Sequence, residues 1–169
     1  FEVDCYKDTS LPTTFVGHPF MEESFSNPLH YDPDAPILLL PGSRKAAVKR
    51  ILPPMLKAFE LFLQKHPSET AILLYPSKEI HQIQNSILQK FPSIANKVKL
   101  QSADTLTKGK ALLGRSGTMS LKCALAAIPG AILYKAHPMT YAIGRMLVDI
   151  DRLGMANILL DRFVYPEFI

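Results

Sequence analysis

Ile37-Leu38-Leu39-Leu40-Pro41-Gly42-Ser43-Arg44 sets a four-residue apolar run directly before a small-residue loop that ends in an arginine. Consecutive large aliphatics bounded by Pro and Gly read as a short strand buried on both faces. A second stretch repeats the plan: Ala111-Leu112-Leu113 leads to Ser116-Gly117-Thr118, and an apolar, helix-like segment starts at once afterwards. Strand, small-residue turn and helix together present free backbone N–H groups and a positive helix end to an anion, most often a phosphate. Two such turns in one domain, one carrying Arg44, point to a ligand with a phosphate or diphosphate.

Working outward, short apolar runs alternate with longer amphipathic ones. Residues 13–16 read as a strand, followed by Gly17-His18-Pro19 and a polar, Pro-containing stretch through Pro36. A helix is expected over 53–66, with Pro53-Pro54 at its start, where proline is tolerated, and Met55, Phe59, Leu61 and Phe62 as its core face. Strands are expected at 71–75, 98–100 and 131–134. Helices are expected at 78–90, 119–127 and 139–149, the second of them stopped by Pro129-Gly130. Between 100 and 111 the pattern defines only a connector. Strands alternating with helices of this length imply an α/β fold, a parallel sheet wrapped on both faces. Ligands of such sheets bind beyond the carboxyl ends of the strands, where both loops fall.

At 169 residues, 47% hydrophobic and 20% charged, the chain suits one domain with a real core. Nothing approaches the ~18 consecutive apolar residues of a membrane helix, and Phe1-Glu2-Val3-Asp4 carries no signal pattern. Opening on Phe1 rather than Met, the chain reads as a piece of a longer polypeptide. Cys5 and Cys123 have no metal-ligand spacing and read as two reduced thiols. The net charge of +4 gathers partly in Arg44-Lys45 and Lys49-Arg50, which suit phosphate, anionic head groups or simply a solvated helix face. Nucleic acid is set aside, because no aromatic-basic stacking motif accompanies the charge.

The order of motifs resembles the lipid-A-disaccharide synthase family. Val16-Gly17-His18-Pro19, Leu40-Pro41-Gly42-Ser43-Arg44, Ser116-Gly117-Thr118 with Leu121, Leu133-Tyr134-Lys135, Thr140, Asn157-Ile158 and Val164-Tyr165-Pro166-Glu167-Phe168 carry the likeness. It covers nearly the whole chain but only the C-terminal half of such an enzyme. The resemblance implies one Rossmann-like half of a GT-B glycosyltransferase. Residues 1–19 would end the N-terminal domain and form the crossover, with His18 at a hinge, and residues 20–169 would be the UDP-sugar-binding domain. The implied reaction moves 2,3-diacylglucosamine from UDP-2,3-diacylglucosamine to the 6-hydroxyl of 2,3-diacylglucosamine 1-phosphate and releases UDP. By the same resemblance Arg44 and Asn157 match catalytic positions. Gly42, Ser43, Arg44, Ser116, Gly117, Thr118, Lys122 and Glu167 form the UDP-binding set. No cofactor and no metal are implied. The expected setting is cytoplasmic, peripheral at the inner membrane of a Gram-negative-type bacterium against an anionic surface, with a homodimer left open.

The chain departs from the family at Lys122, where a glutamate able to accept from ribose hydroxyls is usual and an ammonium can only donate. Ala47 likewise replaces a glutamate, and Ala156 a proline. Read without the resemblance, Asn157 is a turn former, and Ser116 and Thr118 are helix caps. Alternative readings are another UDP-amino-sugar GT-B enzyme, such as a peptidoglycan glucosaminyltransferase or a UDP-N-acetylglucosamine 2-epimerase-like protein, or a non-catalytic nucleotide-binding module. Flavin and nicotinamide readings lack their Gly-x-Gly-x-x-Gly loop.

Overall fold

The run Ile37–Leu40 forms strand β2 in the middle of a six-stranded sheet in the computed structural model, which describes residues 3, 6–22, 24–135 and 152–168. Along the chain follow helix α1 (Lys45–Lys65), β3 (Ala71–Tyr75), α2 (Lys78–Leu88), β4 (Val98–Ser102), β6 (Ala111–Gly114), α3 (Thr118–Leu125), β7 (Gly130–Leu133), α4 (Met155–Leu159) and β8 (Glu167–Phe168). Two three-residue strands, β1 (Leu29–Tyr31) and β5 (Thr107–Gly109), pair separately. Every pairing is parallel, and the large sheet has the order β4-β3-β2-β6-β7-β8. The first three strands therefore run outward from β2, and the next three run outward from β6 on the other side. This is the doubly wound, Rossmann-like order, and the switch point where ligands collect lies between β2 and β6.

Period-two alternation along the central strands feeds two cores. Leu39, Ala71 and Leu73 face α1 and α2, together with Val48, Ile51, Leu52, Met55, Leu56 and Phe59. Leu38, Leu40, Ile72 and Leu74 face the other way, onto Cys123, Ile128, Ala156 and Tyr165. Both faces of β2 and β3 are covered, as their unbroken apolar runs require.

The α/β architecture is as expected, but several boundaries are not. No strand forms over 13–16: that stretch is irregular, and Phe15 and Val16 are 73% and 91% exposed, with no sheet edge beside them. Helix α1 starts at Lys45, eight residues before Pro53, and contains both prolines. Its buried positions 48, 51, 52, 55, 56 and 59 form one stripe that continues across them. Burial of that stripe outweighs the two missing N–H donors. Leu61 and Phe62 lie off the stripe and are exposed. The connector after β4 contains β5, and the polar stretch before β2 contains β1. Helix α3 ends at Leu125 rather than Ala127, because the chain turns into a left-handed residue at Ala127 (φ 55°). There the Ile128 N–H donates to Cys123 O (2.9 Å) and the Ala127 N–H to Ala124 O (3.0 Å), closing a Schellman motif. The expected helix 139–149, Thr140, Cys5 and His137 lie outside the described residues.

Candidate functional site

Two local devices shape the first loop. Gly42 has φ 101°, a conformation that a side chain resists, and it turns the chain sharply out of β2. Arg44 then stands in extended conformation at the N-cap of α1, exposed and without a side-chain cap bond. The second loop is fastened to the first, since the Arg115 N–H donates to Leu40 O at 2.8 Å. The Arg115 side chain crosses the bare backbone of Gly42: a Cβ added there would lie 3.5 Å from Arg115 Cδ.

The loops converge on a cleft of about 540 Å³ lined by Gly42, Ser43, Arg44, Arg115, Ser116, Gly117, Thr118 and Lys122, with Leu40, Leu74, Pro76, Ala103, Asp104, Met119 and Met155. It opens where β2, β3, β4 and β6 end, across the switch point. Among the described residues, three cations and one carboxylate, Asp104, face it. A larger hollow of about 730 Å³ between α1 and α2 lies in the outer helix layer, away from the strand ends and both loops.

Seven of the eight residues expected to bind the nucleotide line this one cleft: Gly42, Ser43, Arg44, Ser116, Gly117, Thr118 and Lys122. Their donors are not all free. The Gly117 N–H donates to Ser120 Oγ (3.2 Å), and that hydroxyl donates back to Gly117 O (2.7 Å). The first-turn N–H groups of α3 beyond Gly117 have no acceptor within the helix and point to its N-terminal end. Ser116 Oγ donates to Leu153 O and holds the 152–155 segment against the loop.

Lys122 pairs with no carboxylate among the described residues. Its ammonium lies over the rings of Phe20 (5.2 Å to the centroid) and Phe25 (5.6 Å), and its carbonyl accepts from Asn27 Nδ2 (2.8 Å). The two rings stack with centroids 4.5 Å apart, and His18 packs edge-on to Phe20. His18 Nδ1 accepts from the Phe20 N–H at 3.1 Å and caps the short turn Pro19–Met21. The stretch from Phe20 to Asn27 is thus clasped to α3 through Lys122.

Asn157 and Glu167 are not among the cleft-lining residues; buried Asn157 and half-buried Glu167 form a brace behind the cleft. The Asn157 Nδ2 group donates to Tyr165 O (2.7 Å) and Glu167 Oε1 (2.6 Å), while its Oδ1 accepts from the Val164 and Tyr165 N–H groups (2.9 Å each). All four hydrogen-bonding valences of the amide are used within the chain. Glu167 also accepts from the N–H groups of Leu153 and Gly154 (2.8 Å each). Glu167 therefore sets the position of the loop that Ser116 grips.

Arg115 and Asp104 are cleft residues that sequence reasoning passed over. Arg115 directly precedes Ser116, so a charged residue inside an otherwise small-residue loop was the available signal. Asp104 sits in the connector after β4 and offered none. Among the described residues, no group of three or more His, Cys, Asp or Glu is placed to hold a metal. No helix there is long and apolar enough to cross a membrane.

Comparison with known proteins gives a consistent picture. A family model described as lipid-A-disaccharide synthetase matches residues 1–169. The lipid-A-disaccharide synthase of Nitrosococcus oceani is 31% identical over 179 residues, covering the whole chain and 46% of that protein. Those of Syntrophotalea carbinolica and Geobacter sulfurreducens are 31% and 28% identical over 178 and 179 residues, covering 45% and 46% of each. The chain spans about half the length of the curated relatives it matches.

Proposed function

The chain belongs to the lipid-A-disaccharide synthase family, and from that premise we propose that its cleft is the donor half of a glycosyltransferase site, holding the UDP of UDP-2,3-diacylglucosamine. The whole protein would pass the acylated sugar to the 6-hydroxyl of 2,3-diacylglucosamine 1-phosphate and release UDP. The observation that carries this reading is the convergence of both anion loops, with Arg44 and Arg115, on one cleft at the sheet's switch point. As the glycosidic bond to UDP breaks, negative charge grows on the diphosphate, and fixed cations and N–H groups stabilise it without reorganising. Arg44 touches the leaving group in this reading. Asn157 and Glu167 act through position, by holding Leu153 and Gly154 against Ser116. Asp104, the carboxylate of the cleft lining, is the acceptor offered to the ribose hydroxyls in place of residue 122.

Residues 1–19 belong, on the same reading, to the end of a preceding domain and the crossover from it. The protein works peripherally at the cytoplasmic face of the inner membrane, its net positive charge favouring an anionic surface.

Calorimetric titration of the chain with UDP and UMP tests the donor site. UDP should bind more tightly, since the paired loops serve a diphosphate. Arg44→Ala should weaken UDP by roughly 10 to 100-fold, about 1.5 to 3 kcal/mol for a charged hydrogen bond. Equal affinity for both nucleotides, or no effect of Arg44→Ala with the circular dichroism unchanged, would remove the diphosphate from this cleft.

A further inference from the structure

Arg44 and Arg115 form a wall with a cavity on each side. Beyond them, away from the nucleotide cleft, lies a second hollow of about 200 Å³ lined by Arg44, Arg50, Arg115, Lys135 and Tyr134, with Ala46, Ala47 and Ile51. It sits over the ends of three neighbouring strands. Arg44 follows β2, Arg115 follows β6, and Tyr134-Lys135 follows β7, where the Tyr134 N–H donates to Phe168 O at 2.8 Å and fixes the strand exit.

Arg50 reaches this place because helix side chains lean toward the helix N-terminus, over the preceding turn. That turn offers Ala46 and Ala47, which leave the space open. Among the described residues, no acidic one lines the hollow. Among the described residues the ion pairs join Lys45 to Glu79, Lys57 to Glu60, Lys108 to Asp32, Lys110 to Glu69 and Arg152 to Asp161, so none of the four cations here is neutralised. Four like charges around one small hollow repel one another, and a dianion lying among them attracts all four and offsets that repulsion.

We propose that this second hollow is a phosphate-monoester site; resting on the donor reading above, it receives the 1-phosphate of the acceptor sugar. Three guanidinium groups' worth of forked donors, an ammonium and a phenol offer more N–H and O–H than a carboxylate can accept. A monoester, with three oxygens and close to two charges at neutral pH, matches them. Arg44 and Arg115, shared by both cavities, place the acceptor's phosphate on one side and the leaving diphosphate on the other. Arg50 and Lys135 line the second hollow alone, which makes the two sites separable.

The test is calorimetric titration of the chain, saturated with UDP, using N-acetylglucosamine 1-phosphate, inorganic phosphate and N-acetylglucosamine as probes. The sugar phosphate should bind in the presence of UDP, more tightly than inorganic phosphate, and the unphosphorylated sugar should not register. The Arg50→Ala/Lys135→Ala double variant, altered only at exposed side chains, should weaken the sugar phosphate at least tenfold and leave UDP affinity unchanged. Competition between sugar phosphate and UDP, equal binding by the double variant, or inorganic phosphate binding as tightly as the sugar phosphate would each overturn the assignment. A chain that takes the sugar phosphate through Arg50 and Lys135 but ignores UDP would overturn the donor reading and leave the monoester site standing.

Discussion

Asn157 is fully buried and fully bonded, so its removal reaches several groups at once. Asn157→Ala leaves two backbone N–H groups, a carbonyl and the Glu167 carboxylate short of a partner, and should cost about 3 kcal/mol in urea unfolding. Asn157→Asp should fare no better, because it turns acceptor oxygen toward Glu167 and the Tyr165 carbonyl. Cys123 is the other decisive buried residue. Burial pushes its thiol up to about 12 from 9.0, and the Tyr165 phenol is also raised by burial and by the neighbouring thiol. Above about pH 9 the unfolded chain loses a thiol proton that the native chain keeps, so stability is full below that pH and falls as pH rises toward 12. Urea midpoints at pH 8 and 10 should show that fall, and it should shrink in Cys123→Ala. Cys123 should also resist alkylation until the chain unfolds, as peptide mapping of the labelled protein will show.

Two substitutions of opposite sign separate the elements around β7. Ala127 pays the left-handed penalty at the position where a Schellman motif favours glycine, so Ala127→Gly should raise stability by up to about 1 kcal/mol. Gly130 lies against the backbone of β6: a Cβ there would come within 2.1 Å of Leu112 O, which no rotamer change relieves. Gly130→Ala should cost about 3 kcal/mol or more and lower the melting temperature sharply. Elements were legible in the sequence where burial was one-signed. The runs at 37–40, 71–75 and 111–113 are apolar because both sheet faces are covered, and they read correctly. β1 and β5 escaped because each is three residues long and mostly polar; only Leu29, Thr107 and Gly109 are buried, and their pairing joins residues far apart in sequence. The start of α1 escaped because Pro53-Pro54 has a helix-starting meaning when read locally, whereas the stripe from Val48 to Phe59 needs the whole length to be seen.

At the scale of the molecule, the site was half written in the sequence: both loops follow strands, and the strand order brings them together at the switch point. What no local pattern held was the second rank, Asp104 and the Asn157–Glu167 brace, which depends on tertiary neighbours. The chain supplied with UDP-2,3-diacylglucosamine and 2,3-diacylglucosamine 1-phosphate should form no disaccharide on its own, since it spans about half the length of its relatives and general-base catalysis needs a group within reach of the 6-hydroxyl. Product detected by mass spectrometry would place the base within this chain, with Asp104 the first residue to substitute. The brace also orders events in time. β2, α1, β3, α2, β4 and β6 leave the ribosome well before Glu167, and domains begin folding as they emerge. The segment gripped by Ser116 is anchored by Glu167, which follows all of these elements in the chain, so a nascent polypeptide gains most of its sheet before it gains that anchor. A polypeptide stalled before residue 167 would be a folded scaffold whose Leu153 and Gly154 N–H groups still lack their carboxylate.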